Sequence, residues 1–140
     1  MRVLSCLALL LAATTVLADT TVRVTVTNVK KPEGILLAGA YTSAETWLGA
    51  DTVARKEIPV AGNVKDGTVA FEMRLAPGRY ALSILQDLNG NRTLDTGFLG
   101  IPTEATGSSN DAPARFSAPK FEAAAFQVKD QPVELRIRLN

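Results

Sequence analysis

Val69-Ala70-Phe71-Glu72-Met73-Arg74-Leu75-Ala76-Pro77-Gly78-Arg79-Tyr80-Ala81-Leu82-Ser83-Ile84 is the stretch on which the fold turns. Val69, Phe71, Met73 and Leu75 alternate with small or charged residues, and Tyr80, Leu82 and Ile84 resume the alternation after the break. A period of two places successive side chains on opposite faces, so each run predicts a strand with one face buried. Between them, Pro77 fixes φ and Gly78 tolerates the positive φ of a type II turn, which predicts that the two strands pair as a β-hairpin.

The same pattern recurs on both sides. Thr20 to Thr27 alternates Val with polar or β-branched residues, and Ile35 to Tyr41 is a short apolar run entered through the turn cluster Lys30-Lys31-Pro32-Glu33-Gly34. Ala54 to Val60, Ala123 to Val128 and Val133 to Leu139 complete about seven strands, and Ser43 to Leu48 has room for one helical turn with Trp47 as a lid on the core. The spacing predicts an all-β fold, a single antiparallel β-sandwich, interrupted from Thr96 to Pro119 by a Gly/Pro/Asn-rich connector.

The chemistry concentrates just after the central stretch. Asp87-Leu88-Asn89-Gly90-Asn91-Arg92-Thr93-Leu94-Asp95 sets Asp87, Asn89, Asn91 and Asp95 at relative positions 1, 3, 5 and 9, with the Thr93 carbonyl at position 7 and Leu94 placed to pin the loop to the core. This is the ligand spacing of a calcium loop, because a hard cation gathers oxygens from alternate residues of a tight turn. The usual Gly of position 6 is Arg92 and the closing acid of position 12 is Phe98. Glu104, Asn110 or Asp111 would have to replace that acid if the connector folds back. The competing reading is plainer: Asn89-Gly90 as a two-residue hairpin turn with solvated neighbours.

Residues 1–18 have the charged start, apolar middle and small cleavage site of a secretory signal peptide, with cleavage expected after Ala18 and residues 19–140 forming one domain. Val3-Leu4-Ser5-Cys6 looks like a lipoprotein box, but the few residues before Cys6 leave no apolar segment ahead of it. Cleavage removes Arg2 and the single cysteine, so the basic side chains then equal the 14 acidic ones. That balance gives no basic surface for nucleic acid or an anionic membrane. The expectation is a periplasmic or secreted protein with no integral membrane segment, whose partner is another protein or a small molecule.

Four blocks resemble a known family. Leu75-x-Pro77-Gly78-x-Tyr80-Ala81, the Asp87 to Asp95 loop, Gly100-Ile101-Pro102-x-Glu104 with Gly107-x-Ser109-Asn110, and Pro119-x-Phe121-Glu122-x-Ala124-x-Phe126 are together similar to the bacterial exported proteins of the domain-of-unknown-function family numbered 2141. The resemblance implies a transthyretin-like or immunoglobulin-like β-sandwich outside the cytoplasm and carries no activity with it. Two departures stand out: Gln86 replaces the family's His, and Ala105-Thr106-Gly107-Ser108-Ser109 replaces a Gly-x-Gly-Phe-Ser run.

The absence of His from the sequence, with Cys confined to position 6, removes Ser-His and Cys-His nucleophile pairs and zinc sites built on imidazole or thiolate. The hydroxyisourate hydrolases, enzymes on a related sandwich, need histidines and a C-terminal Tyr-Arg-Gly-Ser, whereas here the sequence reads Arg136-Ile137-Arg138-Leu139-Asn140. A carboxylate pair, Asp87 with Asp95 or Glu104, is the remaining catalytic option, but solvated carboxylates are better suited to a cation. The reading is therefore non-enzymatic, with a Ca²⁺ loop at Asp87, Asn89, Asn91, Thr93 and Asp95 that orders the connector. The alternative is a metal-free carrier or interaction domain using Trp47, Phe98, Phe116 and Phe121.

Overall fold

The computed structural model describes residues 15–140. Most of the proposed signal peptide therefore lies outside the described residues. Eight strands run in order: β1 (Thr20–Thr27), β2 (Ile35–Tyr41), β3 (Ala54–Pro59), β4 (Val69–Leu75), β5 (Gly78–Asp87), β6 (Thr106–Ser108), β7 (Phe126–Val128) and β8 (Val133–Arg138), with a four-residue helix α1 (Phe121–Ala124) before β7. The fold is all-β. Strands β4-β1-β8 form one sheet and β3-β2-β5-β6 the other, with β7 also paired to β5.

The alternating residues of both sheets meet in one hydrophobic core. Val22, Val24 and Val26 of β1 and Phe71 of β4 face Leu36 of β2 and Leu82 of β5 across it. Burying side chains of this kind stabilises by about 1.5–3 kcal/mol each. A second, smaller cluster on the outer face of the β2/β5 sheet joins Tyr41, Ala81, Phe121 and Ala124, and Trp47 packs on it. The Trp47 indole N–H donates to the Pro119 carbonyl at 2.7 Å, so Trp47 is a lid on this satellite rather than on the main core. Ser43 to Leu48 forms turns and no helix.

The central stretch departs from its predicted hairpin. β4 and β5 belong to different sheets, so Ala76 and Pro77 carry the chain across the core instead of folding it back alongside itself. Gly78 does not take a positive φ. A Cβ there would stand 3.3 Å from the Tyr80 ring, whose hydroxyl donates to the Ala76 carbonyl at 2.7 Å, so the glycine makes room for the aromatic that anchors the crossing. Alternation reports only that Leu75 and Tyr80 both point inward. It is the same whether two strands lie side by side or face each other.

Two further expectations change. β1 and β8 pair in parallel, Val22 opposite Val133 through Thr27 opposite Arg138, so the arrangement is not wholly antiparallel. Parallel neighbours need a long connection, and here nearly the whole domain supplies it. The connector also contributes a strand: β6 pairs Thr106–Ser108 with Leu85–Ser83 of β5, while the predicted strand from Ala123 shortens to β7 behind α1. Gly107 permits this, since a Cβ would fall 2.8 Å from Ile137 Cγ2 and 2.9 Å from the Arg138 carbonyl.

β6 and β7 share one edge of β5 and leave a gap at Leu82, which Ser109 fills. Its hydroxyl is fully buried, accepts the Leu82 N–H at 2.9 Å and donates to the Ala124 carbonyl. A buried donor stripped of its partner costs about 1–3 kcal/mol. Ser109→Ala is therefore expected to lower the unfolding free energy by about 2 kcal/mol in urea titration. A variant as stable as wild type would mean that the gap is not sealed by this hydroxyl. Among the described residues no helix is long and apolar enough to cross a membrane.

Candidate functional site

β5 ends by delivering Asp87, only 1% exposed, into the mouth of the signature loop. Its Oδ1 accepts the Gly90 N–H at 2.8 Å and its Oδ2 the Arg92 N–H at 2.9 Å. The next two ligand positions close Asx turns: Asn89 Oδ1 accepts from the Asn91 N–H and Asn91 Oδ1 from the Thr93 N–H, both at 3.1 Å. Their amide groups converge on Asp95, Asn89 Nδ2 donating to Oδ2 and Asn91 Nδ2 to Oδ1. Side chains that bond their own backbone are what let Asn and Asp replace regular structure in a loop.

Glu104 locks the loop to the returning connector. It is 7% exposed, and it accepts the Leu88 N–H at 2.8 Å and the Asp95 N–H at 3.1 Å through separate oxygens. The connector does fold back, but Glu104 caps backbone donors there. Asn110 and Asp111 go elsewhere: Asn110 Nδ2 donates to the Ala123 and Ala125 carbonyls, and Asp111 accepts the Arg138 N–H.

The hairpin reading of the loop fails. A type I′ hairpin needs positive φ at Asn89 and Gly90, and only Gly90 has it, at 77°. No strand returns along β5 at this point, so the hairpin turn is overturned. For the cation, the left-handed backbone that a position-6 glycine would supply is present at Arg92, with φ 59°. Asn89, Asn91 and Asp95 converge, but Asp87 is engaged by two N–H groups, and among the described residues no three of His, Cys, Asp and Glu gather as a metal-holding group. The residues suit a cation only in part. Leu94 is 42% exposed and does not pin the loop.

The loop's other tether is ionic. Arg92 forks onto Glu57 of β3, Nε to Oε1 at 2.9 Å and Nη2 to Oε2 at 3.0 Å. That pairing is the largest effect and, against a smaller opposing push from burial and with the Arg92 charge in support, holds the Glu57 carboxyl below the ordinary carboxylate range and raises Arg92. A depressed folded-state pKa contributes stability above the unfolded carboxylate pKa and loses it as pH falls through the folded one. Both partners are over a third exposed, so the effect is small and screened by salt. Glu57→Gln should melt slightly below wild type at neutral pH, and the two curves should converge in acid. A gap that stays constant with pH would contradict the pairing.

Beyond Asp95 the connector rises as a finger. Thr103 donates its N–H to the Asp95 carbonyl at 2.9 Å, the Gly97 N–H reaches the Ile101 carbonyl at 2.8 Å, and Thr96 and Pro102 face each other as an antiparallel bridge. The tip is a 3₁₀ turn, Phe98–Gly100, with Leu99 at φ 59°. Phe98 is 85% exposed, Leu99 81% and Ile101 63%. Sequence reasoning singled out Phe98 but missed the finger. Its signal was available: Thr96 to Thr103 contains no charged residue, and glycines flank the apolar pair. The four aromatics proposed to share a patch do not meet, since Trp47 and Phe121 pack together with centroids 6.1 Å apart while Phe98 and Phe116 stand in solvent.

A cavity of about 200 Å³ lies at the base of the finger, lined by Lys30, Lys31, Gln86, Leu88, Pro102 and Glu104 among others. Gln86, where the resembling family carries His, donates its amide to the Lys31 and Glu33 carbonyls at 2.8 and 2.9 Å. It therefore tethers the β1–β2 turn against the end of β5.

No curated protein and no solved structure matches this chain. The model of a family described as "Uncharacterized protein conserved in bacteria (DUF2141)" matches residues 24–136, from the middle of β1 to within β8. That span takes in both sheets, the signature loop and the finger, and by it the chain belongs to the bacterial DUF2141 family.

Proposed function

We propose that the chain is an exported, non-enzymatic interaction domain: a β-sandwich of immunoglobulin-like or transthyretin-like type, working in the periplasm or outside the cell, whose braced loop holds out the finger as its contact element. The observation that carries this is the exposure of Phe98, Leu99 and Ile101 on a finger whose two limbs are already paired with each other. Exposed apolar clusters on soluble domains mark interaction sites, and a preorganised element loses little entropy on binding. The finger has no evident structural duty, because its side chains touch water rather than the core. Its partner is a protein or another apolar acceptor, and no His or thiol is at hand for the commoner hydrolytic mechanisms.

A second reading retains calcium. The left-handed Arg92 and the gathering of Asn89 and Asn91 around the Asp95 carboxylate favour it, provided that both amides turn from donating Nδ2–H to presenting Oδ1, with the Thr93 carbonyl as a further ligand and Asp87 acting through its backbone contacts. With so few free carboxylates the affinity would be weak, about 10⁻⁴–10⁻³ M.

Two measurements test these readings. Replacing Phe98, Leu99 and Ile101 together by Ser should leave the melting midpoint within about 2 °C of wild type, as exposed positions do, and should redistribute the protein from the envelope to the free soluble fraction of the exporting cell. An unchanged distribution would end the interaction reading. Melting in EDTA and in millimolar calcium decides the second, since a ligand that binds only the native state must raise the midpoint. Indifference to calcium removes it.

A further inference from the structure

We infer that the finger seats in the interfacial layer of a lipid bilayer. This rests on the reading of the finger as the contact element and names its partner.

Three observations point the same way. Thr96 to Thr103 brings Phe98, Leu99 and Ile101 into solvent with no charged residue among them. Entering an apolar medium is costly for unpaired peptide groups, and four of the seven N–H groups between Thr96 and Thr103 are already paired. The N–H groups of Gly97, Gly100, Ile101 and Thr103 donate within the finger and its base, and Pro102 has none. A partner that read main-chain groups, as in strand addition, would find these donors already taken.

The third observation is charge. Lys30 and Lys31 are exposed, without an ion-pair partner among the described residues, and share the basal cavity with Pro102 and Thr103 of the finger's returning limb. Two ammonium groups at the foot of an apolar tip match an anionic headgroup layer above acyl chains, because basic residues near such a surface each strengthen attachment several-fold. The balanced charge of the chain conceals this pair, which is local. Three side chains and two lysines give weak, reversible attachment, comparable to a single acyl chain at about 10⁴ M⁻¹.

The test uses the purified full-length mature chain with two sets of vesicles, one of phosphatidylcholine and one of phosphatidylethanolamine containing a minority of phosphatidylglycerol. Wild type should co-sediment with both and favour the second several-fold. F98S/L99S/I101S should lose at least tenfold on both without a change in melting, and K30Q/K31Q should lose only the preference for the second. A polarity-sensitive dye should shift to the blue with vesicles when attached at Leu99→Cys but not at the exposed Ala70→Cys of β4. The sequence's single Cys6 lies in the proposed leader. Wild type that stays in the supernatant with both vesicle types, or a triple variant that sediments like wild type, overturns the inference. If wild type ignores vesicles while the triple variant still leaves the envelope fraction in cells, the partner is a protein and the interaction reading stands without the lipid. If both effects are absent, both fall.

Discussion

Asp87→Asn is expected to destabilise the protein by roughly 2–4 kcal/mol and to loosen the loop that follows β5. The side chain is 1% exposed and its two oxygens accept the Gly90 and Arg92 N–H groups. Hydrogen bonds to a charged group contribute about 1.5–3 kcal/mol each, and the buried Asp87 carboxylate accepts two of them. Asn has the same shape but only one acceptor oxygen. Its NH₂ must point a donor at one of the two backbone donors. From sequence, the loop's carboxylates read as solvated, so that their amides would be neutral or even stabilising. The burial of Asp87 reverses that expectation, and Asp95→Asn, at a half-buried position, should cost distinctly less. Urea titrations of the two variants beside wild type decide it, and an Asp87→Asn midpoint indistinguishable from wild type would show that the carboxylate does not hold the loop.

Ile137→Ala should be comparably damaging, at about 3–4 kcal/mol. Ile137 is fully buried, lies opposite Val26 in the parallel β1–β8 register and packs over Gly107 of β6, so truncation opens a cavity where both sheets meet. Large-to-small changes in such places combine lost transfer energy with an unfilled void. The alternation of β8 alone ranks Leu135 with Ile137. The structure separates them, because Leu135 is only half-buried and its truncation should cost less, while Arg136→Ala, on the exposed face, should cost little. Midpoints that shift at constant denaturant slope would give this order directly. Equal losses at Leu135 and Arg136 would mean that the face assignment is wrong.

Most of what was legible beforehand is local chemistry. Period-two alternation located most of the strands and identified Val22, Phe71, Leu82 and Ile137 as inward-facing, because which face a side chain takes depends only on its neighbours in the chain. The Asp/Asn spacing of 87–95 marked where the polar loop lies for the same reason, but was read as cation ligands or a hairpin turn, whereas its closure by its own side chains is a finding of the structure. Family membership was legible in four short blocks.

Other features depended on contacts between residues far apart in sequence. The pairing of β1 with β8 joins the two ends of the domain, and the run through Pro77 crosses the core because Tyr80 closes onto Ala76 while β5 takes β2 as its neighbour. Glu104 became a loop cap rather than a ligand because the connector returned past Leu88 and Asp95. The finger was missed because exposure is a property of the assembled surface. Phe98, Leu99 and Ile101 are apolar like any core residue, and only the position of their limb beyond both sheets leaves them in water. The sequence by itself determined which segments become strands, which faces turn inward and where the loop chemistry lies. Tertiary structure alone decided which strands become neighbours, which carboxylates are buried and which apolar side chains stay exposed, since each of these depends on the free energy of closing distant parts of the chain together.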